Sequence, residues 1–225
     1  MISNTVGWGA IGQQPIDINT ERSDAILQIL EEGWKKASTS PVVHSEAGEV
    51  EITEQLRAGM RTALKTRRAT WRRKMTILPG TESRSRPSRP RPDGRTDIPI
   101  FFSDIREEYD EHDPHAIVEC KRVAGSRADL CREYVVEGID RFVTGKYGGN
   151  HAVGFMAGYV LSADAKAATA GINRHLIRKG RQSEHLGPCS APAAPWARSS
   201  RHARQEPRPP ITLHHAFFGF RSPPR

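Results

Sequence analysis

Asp97 lies in the segment GRTDIPIFF, and after a charged connection the segment AIVECKRV carries Glu119 and Lys121 two residues apart. Side chains alternate across a strand, so in an extended AIVECKRV both Glu119 and Lys121 point to one face, and an antiparallel neighbour can bring Asp97 beside them. Two carboxylates are hard oxygen donors of the kind Mg²⁺ takes while keeping several waters and phosphate oxygens. A cation held there binds a scissile phosphate and acidifies a water. Lys121 is then placed to orient or deprotonate that water and to offset charge on the developing phosphorane. The chemistry that suits this trio is phosphodiester hydrolysis with Mg²⁺ or Mn²⁺. A plainer reading makes Glu119 and Lys121 a surface ion pair on an edge strand, with Asp97 capping a turn. The apolar runs Ile117-Val118 and Ile100 to Phe102 oppose it, because they mark buried strands, where charges without a shared partner are expensive to desolvate.

A polyanionic partner is expected on separate grounds. Thirteen Lys or Arg stand between Arg57 and Arg95 against only Glu82 and Asp93, an excess larger than the net charge of +8 of the whole chain. Arg84, Arg86, Arg89, Arg91 and Arg95 fall in a stretch of Ser, Arg, Pro and Gly, read as a basic loop over 79–95 that contacts nucleic-acid phosphates. DNA is expected before RNA, and a homodimer is compatible with the reading. Residues 1–14 lack the basic and long apolar runs of a secretory signal, and the apolar stretch 152–161 is about half of the roughly 20 residues that span a bilayer. A cytoplasmic protein without a membrane partner is therefore expected. Cys120, Cys131 and Cys189 form no CxxC pair, which suits a reducing compartment.

The elements that must position the trio follow from periodicity. Apolar residues at three- and four-residue steps predict helices over 23–36, 51–66, 129–143 and 163–178. Strands are predicted over 71–78, 96–102, 116–123, 152–161 and 211–220, with a Pro/Arg-rich loop over 187–210. Strand 116–123 is apolar on both faces and so belongs inside a covered sheet. This gives an α/β chain with a helical extension over 1–49, loosely attached, and one domain over 50–225.

In element order and in these residues the chain resembles the PD-(D/E)XK, or restriction-endonuclease-like, superfamily of nucleases. The likeness spans roughly residues 50–165 and includes the stretch YVVEGIDRFVTGKYG, with Thr96 standing where the superfamily name has proline. It implies a three-layer α/β/α sandwich with a central mixed sheet. It also implies a further acidic metal ligand on the leading helix, matched here by Glu54, with Glu51 second. A catalytically weak or inactive nucleic-acid-binding or assembly module on the same fold is the alternative function. Arg141 is read as one end of an i,i+4 pair with Glu137 on a solvated face, a substrate-facing role for Arg141 or for Lys146 beyond the helix end being the alternative; Tyr147 with Gly145, Gly148 and Gly149 is read as a tight turn, and His214 and His215 as packing or surface residues.

Overall fold

The computed structural model describes residues 16, 18–66, 73–80, 82–83, 94–105, 114–162, 164–206 and 208–220, with backbone only at 82–83. Helix α1 (Thr20–Ala37) starts at Asn19, whose side chain accepts a hydrogen bond from the Arg22 amide. It buries Ile26, Leu27, Ile29 and Leu30 completely, and Trp34 stacks on Tyr159 and Phe218. The described part of the segment read as an extension, α1, is thus built into the core; residues 1–15 and 17 lie outside the described residues. Helix α2 (Glu49–Thr66) turns Ile52, Leu56, Met60 and Ala63 inward. The two helices cross backbone to backbone: a Cβ on Gly59 would lie 2.3 Å from the Gly33 carbonyl oxygen. Only glycine lets them approach so closely.

The strands are β1 (Met75–Ile77), β2 (Glu82–Ser83), β3 (Gly94–Arg95), β4 (Ile98–Phe102), β5 (Ala116–Val123), β6 (Val153–Val160), β7 (Gly187–Pro188), β8 (Arg198–His202) and β9 (Ile211–Gly219). Seven of them form one mixed sheet in the order β1-β4-β5-β6-β9-β8-β7, and β2 and β3 form a separate hairpin. β5, β6 and β9 run parallel at its centre, and the flanking pairs are antiparallel. A continuous helical run comes after β5: α3 (Ala128–Tyr134), a π-helical turn (Val135–Ile139) and α4 (Asp140–Val143). Helix α5 (Ala165–Arg178) comes after β6. Ala116, Val118 and Cys120 of β5 share one buried cluster with α1 and α2, whereas Ile117 and Val123 share the other with residues of α3 and α5. Among the described residues no helix is long and apolar enough to cross a membrane.

The stretch read as a Pro/Arg-rich loop over 187–210 differs from expectation, for it contains β7 and β8. β8 has the sequence RSSRH, with no apolar alternation to mark a strand. It is held instead by pairing with β9 and by a buried polar chain. Glu184 bonds His202, His202 shares a 2.7 Å hydrogen bond with Ser200, Ser200 a 2.8 Å bond with His215, and His215 a 3.0 Å bond with Tyr134. His215 is therefore a core residue with both ring nitrogens engaged.

Burial also sets how the fold responds to acid. It lowers His151 and His214 to about 4 each, the charge of Arg204 adding to the effect at His151. An unfolded chain takes up these protons near pH 6.5, so the stabilisation is complete above that value and is lost as pH falls toward 4. Each histidine then removes about 2 kcal/mol by pH 5. Glu119, pushed up to about 8, acts in the opposite sense over the same range, so the wild-type curve carries both effects. Between pH 7.5 and 5.0 we expect the wild type to lose about 2 kcal/mol more stability than His151→Gln, read from urea midpoints. An equal change in the two proteins would overturn this account.

Candidate active site

β4 and β5 pair only from Ile98 to Ile100 against Val118 to Ala116. Asp97 stands just before β4, so from Glu119 onward β5 has no strand on that side among the described residues. Its exposed amides are covered by carboxylates instead. Asp97 Oδ2 accepts from the Cys120 amide at 2.7 Å, and Glu49 Oε2 accepts from the Arg122 amide at 3.0 Å. Glu119 and Lys121 project from the same face of β5, and Lys121 Nζ lies 3.0 Å from Glu119 Oε1. The ammonium also donates to Glu49 Oε1 at 2.7 Å and to the Cys120 carbonyl at 2.8 Å. The structure therefore brings Asp97, Glu119 and Lys121 together.

Glu54 is not among them. Its carboxylate is half exposed and ion-paired with Arg57, while Glu49 at the start of α2 reaches Lys121. Five residues along a helix turn the side chain by about 500°, or roughly 140° round the axis, so the two glutamates cannot share a face. The sequence pattern starts the helix at Glu51, and Glu49 falls in the turn that pattern leaves out. Glu51 is exposed. Arg95 is exposed, with Nε on the Gly80 carbonyl. Arg84, Arg86, Arg89 and Arg91 lie outside the described residues.

Two residues join that sequence reasoning placed elsewhere. Arg141 donates through Nη1 to Glu119 Oε1 at 2.7 Å and to the Tyr147 hydroxyl at 3.0 Å. Tyr147 in turn donates to the Arg95 carbonyl at 2.8 Å, which ties the root of the β2–β3 hairpin to the site. The pair with Glu137 read from the sequence is also present, at 3.1 Å, but it uses the other guanidinium nitrogen. Local geometry supplies the reason. The π turn at Val135–Ile139 shifts the register of α4 relative to α3, and such turns recur at functional sites. Gly138 within it lets the helix lie on the sheet, since a Cβ there would be 2.5 Å from Met156 Cε and 3.4 Å from Lys121 Cγ.

The electrostatics are those of a crowded, dry site. Glu119 is fully buried, and burial with the charge of Asp97 pushes its carboxyl up to about 8, against the pull of Lys121 and Arg141. Burial raises Asp97 as well, opposed by Lys121 and the Cys120 amide. For Lys121 burial acts to lower the value, but Glu119, Glu49 and Asp97 together hold it above the ordinary lysine range. Lys121 is therefore an ammonium near neutral pH and a poor proton acceptor; of the two roles read from sequence, orientation and charge stabilisation fit it. Glu119 Oε2 is buried and has no hydrogen-bond partner. Among the described residues no group of three or more His, Cys, Asp or Glu is arranged to hold a metal ion. Asp97 and Glu119 offer two carboxylates, and both oxygens of Glu49 are occupied by Lys121 and the Arg122 amide.

Comparison of the chain with family models, curated proteins and solved structures finds no match.

Proposed function

We propose that this chain is a metal-dependent nuclease of the PD-(D/E)XK type, with a three-layer α/β/α core, hydrolysing phosphodiester bonds of DNA in the cytoplasm. The observation that carries the reading is the convergence of Asp97, Glu119 and Lys121 at the uncovered edge of β5, with Glu119 Oε2 left unpartnered. A divalent cation is commonly bound through one or two carboxylates, with water and substrate phosphate completing its shell, and Asp97 and Glu119 fit that donor set. Bound there, Mg²⁺ or Mn²⁺ would supply Lewis-acid polarisation of the phosphate and a more acidic water. Lys121 steadies negative charge that grows in the transition state and orients the attacking water. Arg141 holds Glu119 in place through Oε1 and leaves Oε2 free. The tie from Tyr147 to Arg95 sets the base of the arginine-rich segment beside the site, where its charge would draw a phosphate backbone.

One observation favours the binding-module alternative: Lys121 and Arg141 already engage Glu119 Oε1 within the protein, so the cluster also suits a closed structural network. Cleavage of plasmid, linear and single-stranded DNA and of RNA, with and without Mg²⁺, separates the two. The enzyme reading expects Mg²⁺-dependent cleavage by the wild type and none by Asp97→Ala. Intact DNA under every condition, with DNA binding retained, would replace it by the module.

A further inference from the structure

The face formed by α3 and α5 is strongly basic, and the site described above does not use it. A depression of about 370 Å³ lined by Gly125, Ser126, Gly171, Arg174 and Arg178 adjoins another lined by Arg132, His175, Arg178 and Lys179. Arg174 is anchored by donating to the Gly125 carbonyl at 3.0 Å. No carboxylate among the described residues pairs with Arg132, Arg174, Arg178 or Lys179. Asp129, which also lines the second depression, has its two oxygens on Arg127 at 3.0 and 2.6 Å, and Asp140 is held by Arg181 at 2.7 Å. His175 is only 6% exposed, lines this wall, and its Nε2 has no partner. Burial, then the charges of Arg178, Lys179 and Arg132, disfavour its protonation, with Asp140 only partly opposing them.

Basic side chains in the last turn of α5 suit its C-terminal dipole, but Arg174 and Arg178 are an i,i+4 pair of like charge, which weakens a helix. An anion bound between α3 and α5 would relieve the repulsion among Arg132, Arg174 and Arg178. Donors from two helices, including guanidinium forks, suit the several oxygens of a phosphate. We infer that the α3–α5 groove is a second phosphate-binding site, and that the phosphate it takes belongs to a polynucleotide backbone. The polynucleotide source rests on the nuclease reading. Gly125 lies four residues beyond Lys121 on the same strand and its exit turn, at most about 14 Å of chain. That is about four nucleotides at roughly 3.4 Å of rise per strand.

The test uses the full chain in EDTA, so that binding is read without cleavage. Arg178→Glu/Lys179→Glu changes two exposed residues, and Lys35→Glu/Lys36→Glu on α1 is the charge-matched control. A duplex of about 20 base pairs titrated by fluorescence anisotropy across a salt series is expected to bind the groove variant at least tenfold more weakly. Its salt slope should fall by about 2, because each lost phosphate contact removes about one released counterion. The control should lose less than threefold. Inorganic phosphate is expected to shift the His175 ring resonances in the wild type but not in the groove variant. An unchanged affinity and slope, or an equal loss in the control, would overturn the site. A phosphate shift at His175 with unaltered duplex binding would overturn the polynucleotide source and leave a small phosphate as the ligand. If the wild type never cleaves yet the groove variant binds as expected, the groove stands and the nuclease reading falls; the reverse pattern spares the nuclease reading.

Discussion

Lys121→Ala is expected to slow single-turnover DNA cleavage by about 10²- to 10³-fold while leaving DNA affinity within a few fold of the wild type. The magnitude is that of removing one preorganised charge or donor aimed at charge that appears only in the transition state. The affinity should survive because Lys121 is 7% exposed and its ammonium already serves Glu49 and Glu119, so it offers little to ground-state DNA. Lys121→Arg keeps the cation and should recover part of the rate, separating charge from placement. Adding Asp97→Ala to Lys121→Ala should cost little more than the worse single change, since groups acting as one unit are not additive. Circular dichroism melting confirms that each variant is folded at the assay temperature. Cleavage by Lys121→Ala at the wild-type rate would remove lysine from the chemistry. A parallel fall in affinity and rate would assign it to binding.

The largest effect on stability is expected at Gly59. Alanine there would put Cβ 2.3 Å from the oxygen and 3.1 Å from the carbon of the Gly33 carbonyl, and these are backbone atoms that no rotamer change can move. Relief requires α1 to shift away from α2, and α1 carries Trp34, whose ring lies 5.7 Å from Tyr159 and 5.2 Å from Phe218. The Trp34 indole nitrogen also donates to the Gly219 carbonyl at 3.2 Å. Overpacking of a core ordinarily costs about 1–3 kcal/mol, and a contact that displaces a whole helix belongs at or above the top of that range. Gly59→Ala should therefore lower the urea midpoint by an amount worth about 3 kcal/mol. Gly187→Ala, where a Cβ meets nothing within 4 Å, should change it little. Equal midpoints for the two would show that the crossing is looser than the geometry implies.

The main elements were legible because most of them bury one periodic face. The stripes Ile26-Leu30-Trp34 and Ile52-Leu56-Met60 mark α1 and α2, and AIVECKRV marks β5 by being apolar on both sides. The pairing of Glu119 with Lys121 follows from strand alternation alone. The elements and contacts that escaped did so for identifiable reasons. β8 is stabilised by hydrogen bonds among Ser200, His202 and His215, so hydropathy carries no trace of it. The contact of Arg141 with Glu119 spans 22 residues and depends on a π turn, which no pattern of three- and four-residue steps encodes. Glu49 was passed over for Glu54 because its value lies in two bonds to β5, a strand 72 residues away in the chain. The lone glycine in VVEGI was the available hint, since a glycine inside a helical pattern often marks close packing.

The cover over the open edge of β5 has an evolutionary consequence. A strand edge with free amide donors is a template on which another chain can add, and natural proteins keep such edges blunted. Asp97 and Glu49 blunt this one, each with an oxygen on a β5 amide. Selection against aggregation would therefore hold acceptors at both positions whatever chemistry the site performs. Lys121 and Glu119 cover no amide and are held by each other, so the fold has reason to keep or lose them together rather than singly. Among relatives of this chain, residues 119 and 121 should change as a pair where activity is absent, while acceptors persist at positions 97 and 49.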